Sequence, residues 1–400
     1  MVRAATRQDQ ETAHGGSLFS RFAASLTTLA LVVTGVVAGV VTAEPAAAAI
    51  TIECGTGAGE ADVYAVTTAE NYNGNLALVT GSSGSGSYLA TIKPSSTSDS
   101  LNALGISSDG SYLYAIGGTV ATTASGTSSF YVVTYNTSTA ATTYTALTSP
   151  VNTANRAAVA RGAVNPVNGY YYYTIGTSSY QDLYAFDPST STSAIIGRIA
   201  NAGTYPGTGD LTFDQDGNMY IVMGAYLKVV GNVPSTGSST TILSATTLVT
   251  SIASTPSLQT SGIAFARSGL LYVATSSAII GINATTGAQV SRHSISLGTG
   301  LSGTVSDLAT CQNPNTLTVK KNVSSRYAST DQFTTSIAAT DITTVTGTTT
   351  GTDTGLQGDS GEFAGPVVAT SDLTYTLSET AASGSLSDYA TTYSCTDASG

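Results

Sequence analysis

Hydrophobic and polar residues alternate along most of the chain, in short runs separated by glycine, serine, threonine or asparagine. Alternation with a period of two is typical of β-strands, because successive side chains of a strand point to opposite faces. The spacing of about 3.6 residues that marks an amphipathic helix is not found after residue 50. The pattern therefore predicts an all-β fold for this part of the chain.

Four of the alternating runs align on one glycine and define an internal repeat. They read ISSDGSYLYAI around Gly110, VNPVNGYYYYTI around Gly169, FDQDGNMYIVM around Gly217 and FARSGLLYVAT around Gly269. In every copy a short strand leads to Asp, Asn or Ser followed by glycine, and an aromatic strand comes next. Such dipeptides favour tight turns in which both central residues have positive φ. The repeat thus predicts one β-hairpin per copy.

A third strand and a second loop follow each hairpin, so that one repeat has about four short strands in about 50 residues. This is the composition of a β-propeller blade, whose sheet packs against its neighbours around a central axis. The predicted blades begin near Leu101, Ala160, Gly209 and Ser261, and small residues recur at Gly105, Gly162, Gly209 and Gly262.

A fifth blade can be assembled from the two ends of the repeat region. The stretch VSDLATC, which ends at Cys311, has the pattern of an innermost strand, whereas residues 50–80 supply outer strands without an inner one. If these two stretches pair in one sheet, the ring of blades closes and leaves no exposed strand edge at either end. The prediction is a propeller at 50–311 with five blades, six being the alternative. Cys54 and Cys311 would then form a disulfide in an oxidising compartment, two free buried thiols being the alternative.

The first 49 residues have the layout of a secretory signal peptide. Arginines precede an apolar run over residues 22–41, and small residues at 47–49 offer a cleavage site. An uncleaved N-terminal anchor is the alternative, because the run is about long enough to span a bilayer. We expect a secreted chain whose mature part, from Ile50 onward, has no membrane-inserted segment.

Charge and composition limit the partners, metal sites and cofactors that the sequence predicts. The chain has 13 Lys and Arg against 24 Asp and Glu, a formal net charge of −11, which argues against nucleic acid and anionic lipid as partners. His293 is the only histidine outside the predicted signal peptide, so a multi-histidine metal site is not expected. No phosphate-cradling loop or nucleophile elbow occurs, and we expect no cofactor and no resident metal.

One stretch has the spacing of a calcium loop, since Asp214, Asp216 and Gly217 form a D-x-D-G sequence. The repeat argues against that interpretation. Asp214 is replaced in the other copies by Ser107, Asn165 and Ala266, none of which is acidic. We therefore interpret the stretch as a hairpin turn.

The inner strands of the predicted propeller carry few ionisable residues, namely Asp210, Asp307 and Arg161. These are the candidate ligand-facing residues of the central channel. A funnel with three or more convergent ionisable groups would favour an enzyme, whereas a plugged channel would favour a binding module. The tyrosines at 170–173 are a second candidate, because aromatic rings stack on sugars, although alternate residues of a strand face the core.

The C-terminal part follows a different pattern after a short linker at 312–316. The stretches LTVKK, DQF, YTLSET and YSC are similar to strands of the SpaA or CnaB-type prealbumin-like domains of Gram-positive and actinobacterial surface proteins. The resemblance covers residues 317–400 and implies a small β-sandwich that serves as a stalk. The upstream repeats also resemble propeller-like regions found beside such domains.

Members of that domain class often contain an isopeptide bond between a lysine and an asparagine or aspartate, promoted by a buried glutamate. The resemblance implies Lys320 or Lys321 as the lysine and Glu379 as the promoting acid. Because the partner strand is not found in the sequence, the favoured interpretation is nevertheless solvated lysines and an exposed glutamate. The partner asparagine is expected on a later strand, so we expect a truncated domain, further stalk domains beyond Gly400, and no intradomain mate for Cys395.

Two hypotheses for function follow. The favoured one is a non-enzymatic protein, secreted or associated with the cell wall, with a propeller head for adhesion or recognition on a prealbumin-like stalk. Its ligand would be an extracellular protein or carbohydrate. The alternative is an extracellular propeller enzyme of the lactonase, lyase or glycosidase type that acts from the central channel. Propellers host many unrelated activities, so the fold alone does not decide between them.

Overall fold

The structure is a computed structural model. It describes residues 49–396 except for 56–58, 60, 69–73, 93–99, 120–128, 148–158, 177–178, 202–208, 232, 251, 253–259, 302, 341, 360 and 371–372. Residues 1–48 of the predicted signal peptide lie outside the described part. Within the described ranges, no helix has the length and hydropathy that a membrane span requires.

Five sheets form the blades of a propeller. Blade 1 contains β1 (Asp62–Thr68), β2 (Gly74–Thr80), β3 (Ser85–Ile92) and β21 (Thr304–Ala309), with β20 (Ser296–Leu297) parallel to β3. Blade 2 contains β4 (Ser100–Ile106), β5 (Tyr112–Thr119), β6 (Ser129–Asn136) and β7 (Thr142–Ala146). Blade 3 contains β8 (Val159–Val164), β9 (Tyr171–Gly176), β10 (Tyr180–Asp187) and β11 (Thr192–Ala200). Blade 4 contains β12 (Leu211–Phe213), β13 (Met219–Met223), β14 (Tyr226–Val230) and β15 (Thr246–Val249). Blade 5 contains β16 (Gly262–Phe265), β17 (Leu271–Ala274), β18 (Ala278–Ile282) and β19 (Gln289–Ser294).

Blade 1 joins the two ends of the propeller in one sheet. β1 pairs antiparallel with β2 on one side and with β21 on the other, although β21 comes more than 200 residues later. The innermost strands β4, β8, β12, β16 and β21 contact one another in that order, and β21 contacts β4 again. The ring is therefore closed, and the prediction of five blades completed by both chain ends is confirmed.

A disulfide reinforces the closure. Cys54 and Cys311 are bonded, with a Cα–Cα distance of 5.5 Å, across a sequence separation of 257 residues. The preceding Ile52 is buried in the cluster between blades 1 and 2. The bond therefore ties the entry of the propeller to the end of its last strand, and the predicted pairing is confirmed.

One hydrophobic cluster fills each junction between neighbouring blades, because strands that are apolar on both faces pack on both sides. Representative pairs are Val66 and Leu113 for blades 1 and 2, Ile116 and Tyr171 for blades 2 and 3, Leu183 and Ile221 for blades 3 and 4, Val222 and Ile263 for blades 4 and 5, and Ala264 and Val63 for blades 5 and 1. The propeller thus has a ring of five cores rather than one central core.

Glycines on the inner strands allow these strands to approach closely. A Cβ atom at Gly262 would lie 2.1 Å from the backbone nitrogen of Leu308 on β21. A Cβ atom at Gly162 would lie 2.5 Å from the carbonyl oxygen of Ala103 on β4. Both distances are far below van der Waals contact. The recurring small residues of the sequence are therefore a steric requirement of the narrow axis.

The four repeat glycines lie in hairpin turns, as predicted, but the turn type differs from the prediction. Gly110, Gly169, Gly217 and Gly269 have φ between 72° and 84°. The residue before each of them has no positive φ, so the expectation of positive φ at both central positions is wrong. A side chain earlier in the turn takes over part of the hydrogen bonding: in blade 4, Asp214 Oδ1 accepts from the backbone nitrogens of Asp216 (3.0 Å) and Asn218 (2.8 Å).

The C-terminal domain is a small β-sandwich. It contains β22 (Thr316–Val319), β23 (Asn322–Val323), β24 (Gln332–Ala339), β25 (Ile342–Thr348), β26 (Gly355–Leu356), β27 (Ala364–Val368), β28 (Tyr375–Ser383) and a 3₁₀ turn at Leu386–Asp388. One layer is the sheet β25–β24–β28 and the other is the pair β22–β27, and Ile337 packs between them against Ala364 and Val367.

One strand implied by the resemblance is not formed. The stretch YSC, at 393–395, belongs to no sheet, so that expectation is wrong. Its residues are exposed and pair with none of the described strands. Cys395 is an exposed free thiol.

Candidate functional site

Three ionisable side chains converge on the propeller axis. Arg161 lies on β8, Asp210 comes directly before β12, and Asp307 lies on β21, so each occupies the same inner-strand position of its own blade. The equivalent positions of blades 2 and 5 hold Ala103 and Gly262. All three ionisable residues are 0% exposed. The site is therefore a sealed cluster at the centre of the ring.

The carboxylate of Asp210 binds the backbone of three consecutive blades. Its Oδ1 accepts from the backbone nitrogens of Leu211 (2.7 Å) and of Gly162 in blade 3 (3.2 Å). Its Oδ2 accepts from the backbone nitrogen of Ile263 in blade 5, at 2.8 Å. The side chain of Asp210 thus accepts from inner-strand N–H groups that point toward the axis, where no neighbouring strand pairs with them.

Asp307 does the same for the other two blades. Its Oδ1 accepts from the backbone nitrogen of Leu308 at 2.8 Å, and its Oδ2 accepts from that of Leu104 in blade 2 at 2.5 Å. Together, Asp210 and Asp307 bind the inner strands of all five blades. The pair acts as the hub of the ring.

The two carboxyl groups are close enough for each to shift the pKa of the other. Burial, the largest cause, raises the pKa of Asp210 to about 7, because the charged form loses its hydration. Burial also raises the pKa of Asp307 well above its usual range, and the negative charge of Asp210 raises it further. Two like charges this close disfavour simultaneous ionisation.

Arg161 supplies the positive charge of the cluster. Its Nη1 donates to Gln181 Oε1 at 2.8 Å and its Nε donates to the carbonyl oxygen of Val222 at 3.3 Å. Burial lowers the pKa of Arg161 to about 10, and the negative charge of Asp210 opposes that effect. The guanidinium therefore remains charged at neutral pH.

The expectation that Arg161, Asp210 and Asp307 face a ligand in an open channel is wrong for this structure. The three residues are brought together, but none has exposed surface. The physical reason is the close approach of the glycine-containing inner strands, which leaves an axis that these side chains themselves fill. Each carboxylate oxygen that would contact a substrate is bonded to a backbone N–H.

Two residues of the cluster were not identified from the sequence. Gln181 on β10 is fully buried and also donates from Nε2 to Asn201 Oδ1 at 2.8 Å. Tyr171 donates its hydroxyl to the carbonyl oxygen of Ala103. Gln181 could have been identified from the sequence, because it is a polar residue within the buried strand YQDLYAFD. Tyr171 could not, because it has the pattern of an ordinary core residue.

The tyrosines at 170–173 do not form a sugar-binding face. Tyr171, Tyr172 and Tyr173 are at most 1% exposed and alternate between two blade junctions. Tyr171 stacks on Tyr114 of blade 2 with ring centroids 5.5 Å apart, whereas Tyr172 packs against the ring of Phe213 in blade 4 at 5.4 Å. Strand alternation thus directs these three rings into the cores on both sides of the blade, so they are not available to a sugar.

The D-x-D-G stretch is a turn that contacts the C-terminal domain. Asp214 is fully buried and accepts from Asn218 Nδ2 at 2.8 Å, and burial raises its pKa to about 6. Asp216 Oδ2 accepts from the hydroxyl of Thr316, the first residue of β22. Among the described residues, no group of three or more His, Cys, Asp or Glu side chains is placed to hold a metal ion.

The two candidate lysines of the C-terminal domain have different surroundings. Lys321 Nζ lies 2.6 Å from Glu379 Oε1, and their side chains are 14% and 7% exposed. The same ammonium lies 4.7 Å from the ring centroid of Phe333. Lys320 Nζ instead lies over the ring of Phe363, at 5.2 Å. The structure therefore pairs Glu379 with Lys321.

A cavity of about 540 Å³ adjoins this ion pair. Its wall includes Lys321, Arg326, Phe333 and Asp388. Arg326 is held by the carbonyl oxygens of Asp331 and Asp353, so it contributes to the wall rather than acting as a free cation.

The C-terminal part belongs to a known domain type. Residues 316–400 match the model of a prealbumin-like fold domain, SpaA_3. No curated protein sequence matches the chain.

The fold of the larger part is similar to that of several solved structures. A protein of unknown function from Bacteroides thetaiotaomicron VPI-5482 is 16% identical over 64% of this chain and 63% of that one, with a TM-score of 0.41. The Malassezia sympodialis allergen Mala s 1 is 13% identical over 61% and 80%, with a TM-score of 0.38. The β-propeller domain of Myceliophteria thermophila Cps50 (Swd1) is 9% identical over 62% and 87%, with a TM-score of 0.34. The match thus spans less than two thirds of the first of these chains.

Proposed function

We propose that the protein is a non-enzymatic extracellular recognition protein, in which the propeller is the binding head and the prealbumin-like domain is a stalk. It is secreted or associated with the cell wall, and its ligand is an extracellular protein or carbohydrate. The C-terminal domain match and the disulfide support an oxidising, extracellular location.

One observation carries the non-enzymatic part of this proposal. Propeller enzymes of the alternative type would act from the central channel, and that channel is here filled by Arg161, Asp210 and Asp307. General acid–base chemistry requires that the acid or base reach the substrate within hydrogen-bond distance. A cluster with no exposed surface, whose oxygens bind backbone amides, does not meet that requirement.

The ligand then binds on the outer surface of the head. Tyr88, Tyr112 and Tyr144 on blades 1 and 2 are 43%, 39% and 43% exposed, respectively. Tyrosine is enriched at recognition surfaces, because it combines a large apolar ring with a polar hydroxyl. These rings are the candidate ligand contacts of the head.

The test is an array of extracellular glycans and proteins probed with the full chain. We expect binding that the triple variant Tyr88→Ala, Tyr112→Ala, Tyr144→Ala loses by about tenfold or more, in line with hot-spot tyrosines. Tyr327→Ala, a 78% exposed tyrosine of the C-terminal domain, is the matched control and should leave binding unchanged. Turnover of a lactone or glycoside panel, or loss of binding only with the control, would contradict the proposal.

The stalk role includes a candidate cross-link. An aspartate or asparagine that enters the cavity beside Lys321 is the acceptor: the amine attacks the side-chain carbonyl, one amide bond forms, and water or ammonia leaves. Glu379, whose Oε1 lies 2.6 Å from Lys321 Nζ, would take the amine proton and then polarise the carbonyl. Intact-mass analysis of the protein from its native host tests this. We expect the wild type to be lighter than its sequence by one water or one ammonia. Lys321→Arg should abolish this mass loss, and Lys320→Arg should retain it. The opposite pattern, or a wild type without the mass loss, would contradict the proposed cross-link.

A further inference from the structure

We propose that Asp210 and Asp307 share one proton, and that this proton is part of the seal that holds the five blades around the axis. The head is then most stable when the pair is protonated, and it loosens when the proton is lost. This inference concerns the ring itself and does not depend on the ligand of the head.

The count of buried charges supports a shared proton. Arg161, Asp210 and Asp307 are all 0% exposed, so their charges have no access to water. One guanidinium and two ionised carboxylates would leave one buried negative charge, which is strongly unfavourable in the interior of a protein. One proton on the pair makes the cluster neutral.

The geometry supports it as well. Asp210 Oδ2 accepts from the backbone nitrogen of Ile263, and the preceding residue, Gly262, packs against the backbone of Asp307, so the two aspartates are neighbours at the axis. A proton on one of two neighbouring carboxyl groups allows it to donate to the other. Their remaining oxygen positions accept from backbone N–H groups of all five blades, including those of Gly162, Ile263 and Leu104. Loss of the proton would place two negative charges side by side at the point where all blades meet.

No other neighbour replaces the proton. The charged or titratable groups that face the pair from the described elements are Arg161 on β8 and Tyr171 on β9. Tyr171 stays neutral, because burial raises its pKa far above the usual range, and its hydroxyl donates to a backbone carbonyl. The strands β4 and β16 contribute backbone N–H donors at Leu104 and Ile263.

The sign of the pH dependence follows from the raised pKa. An aspartate in the unfolded chain titrates near pH 3.9, whereas in the fold the pKa of Asp210 is about 7 and that of Asp307 is also raised well above its usual range. Between these values the folded state binds more protons than the unfolded state, so the free energy of unfolding falls as pH rises. The contribution is complete below the unfolded pKa and is lost as pH rises through the folded pKa.

The experiment is urea unfolding of the full chain from about pH 4 to about pH 8, followed by tyrosine fluorescence because the chain has no tryptophan. We expect the unfolding constant to rise by about tenfold or more per pH unit between about pH 5 and pH 7. Asp307→Asn, which binds no proton but still donates to Asp210, should lose that rise. Asp214→Asn is the control, because Asp214 is buried in the blade 4 turn and its pKa is raised only to about 6. It should keep the rise above about pH 6.

A second measurement decides the question if Asp307→Asn does not fold. In the wild-type chain with ¹³C-labelled aspartate carboxyls, we expect two carbons that shift together near neutral pH, well above the range of exposed aspartates. Two carbons that are fully ionised at about pH 5 would overturn the proposal. A wild-type unfolding constant that does not rise with pH, or a rise that Asp307→Asn retains in full, would overturn it too.

Discussion

Lys320 and Lys321 are adjacent in the chain, yet they have different roles in the C-terminal domain. Only Lys321 reaches Glu379, because alternate positions of an extended segment point to opposite sides. The glutamate is almost buried and is the partner of one cation. At the residue scale, a shift of one position along this extended segment therefore decides which lysine pairs with Glu379.

In protein that has not formed the cross-link, Lys321→Met should destabilise the C-terminal domain by about 1–3 kcal/mol, less than a fully buried pair would lose, because Glu379 is left without its cation. Lys320→Met is the matched control and should change the free energy of unfolding by under about 0.5 kcal/mol. The double variant Lys321→Met, Glu379→Gln should recover part of the loss. Urea unfolding measures all three, and equal losses for the two single variants would contradict the assignment.

At the element scale, glycine rather than large apolar residues determines how closely the inner strands pack against each other. Gly262 on β16 leaves no room for a Cβ beside the backbone of β21. The same strand pair joins blade 5 to blade 1, where the ring closes. Closure therefore depends on the absence of a side chain as much as on hydrogen bonding between β1 and β21.

Gly262→Ala should destabilise the head by about 1–3 kcal/mol, because the added methyl group forces the backbones of β16 and β21 apart. The control is Gly231→Ala, whose Cβ would have only Asn218 Oδ1 near it, at 3.5 Å. The midpoint of urea unfolding gives the comparison. Equal midpoints for Gly262→Ala and the wild type would show that the inner strands are not packed as described.

The disulfide is a second element-scale constraint on closure. Replacing Cys54 and Cys311 together by serine should lower the free energy of unfolding by about 5.5 kcal/mol in the chain-entropy model, because the bond closes a very long loop of the unfolded chain. Cys395→Ser is the control, since that thiol is free and exposed. Unchanged stability of the double variant in non-reducing urea would contradict a native bond.

At the scale of the whole molecule, head and stalk are joined by packed contacts. The predicted linker at 312–316 binds the head, since the carbonyl oxygen of Pro314 accepts from the backbone nitrogen of Gln215 at 3.1 Å, and Asn313 Nδ2 donates to the carbonyl oxygen of Phe213 at 2.9 Å. Val368 of β27 is buried in the cluster between blades 4 and 5. The turn that resembles a calcium loop thus lies at a domain junction.

Val368→Asp should open this junction, because a carboxylate cannot be buried there without a partner. We expect a non-specific protease to cut the variant within residues 312–316 and to leave the wild type intact. Val290→Asp, at a 59% exposed position of β19, is the control and should stay intact. Cleavage of the wild type at the linker would show that the junction is loose.

The sequence was sufficient for features that depend on local pattern. Alternation, the repeat glycines and the strand-like ends of the repeat region predict the blades, their closure and the Cys54–Cys311 bond. The exposure of Asp210 and Asp307 was not predictable in this way, because it depends on how closely five distant strands approach each other. The contact between Asp216 and Thr316 is likewise set by the docking of two domains, which no periodicity encodes.

The most direct test of ring closure is peptide mapping of the intact chain under non-reducing conditions. Closure places the two termini of the propeller in one sheet, so a single cross-linked pair of peptides should carry Cys54 and Cys311, and Cys395 should be recovered as a free thiol. A bond from Cys395 to either of the other two cysteines, or free thiols at both Cys54 and Cys311, would contradict the closed five-bladed head.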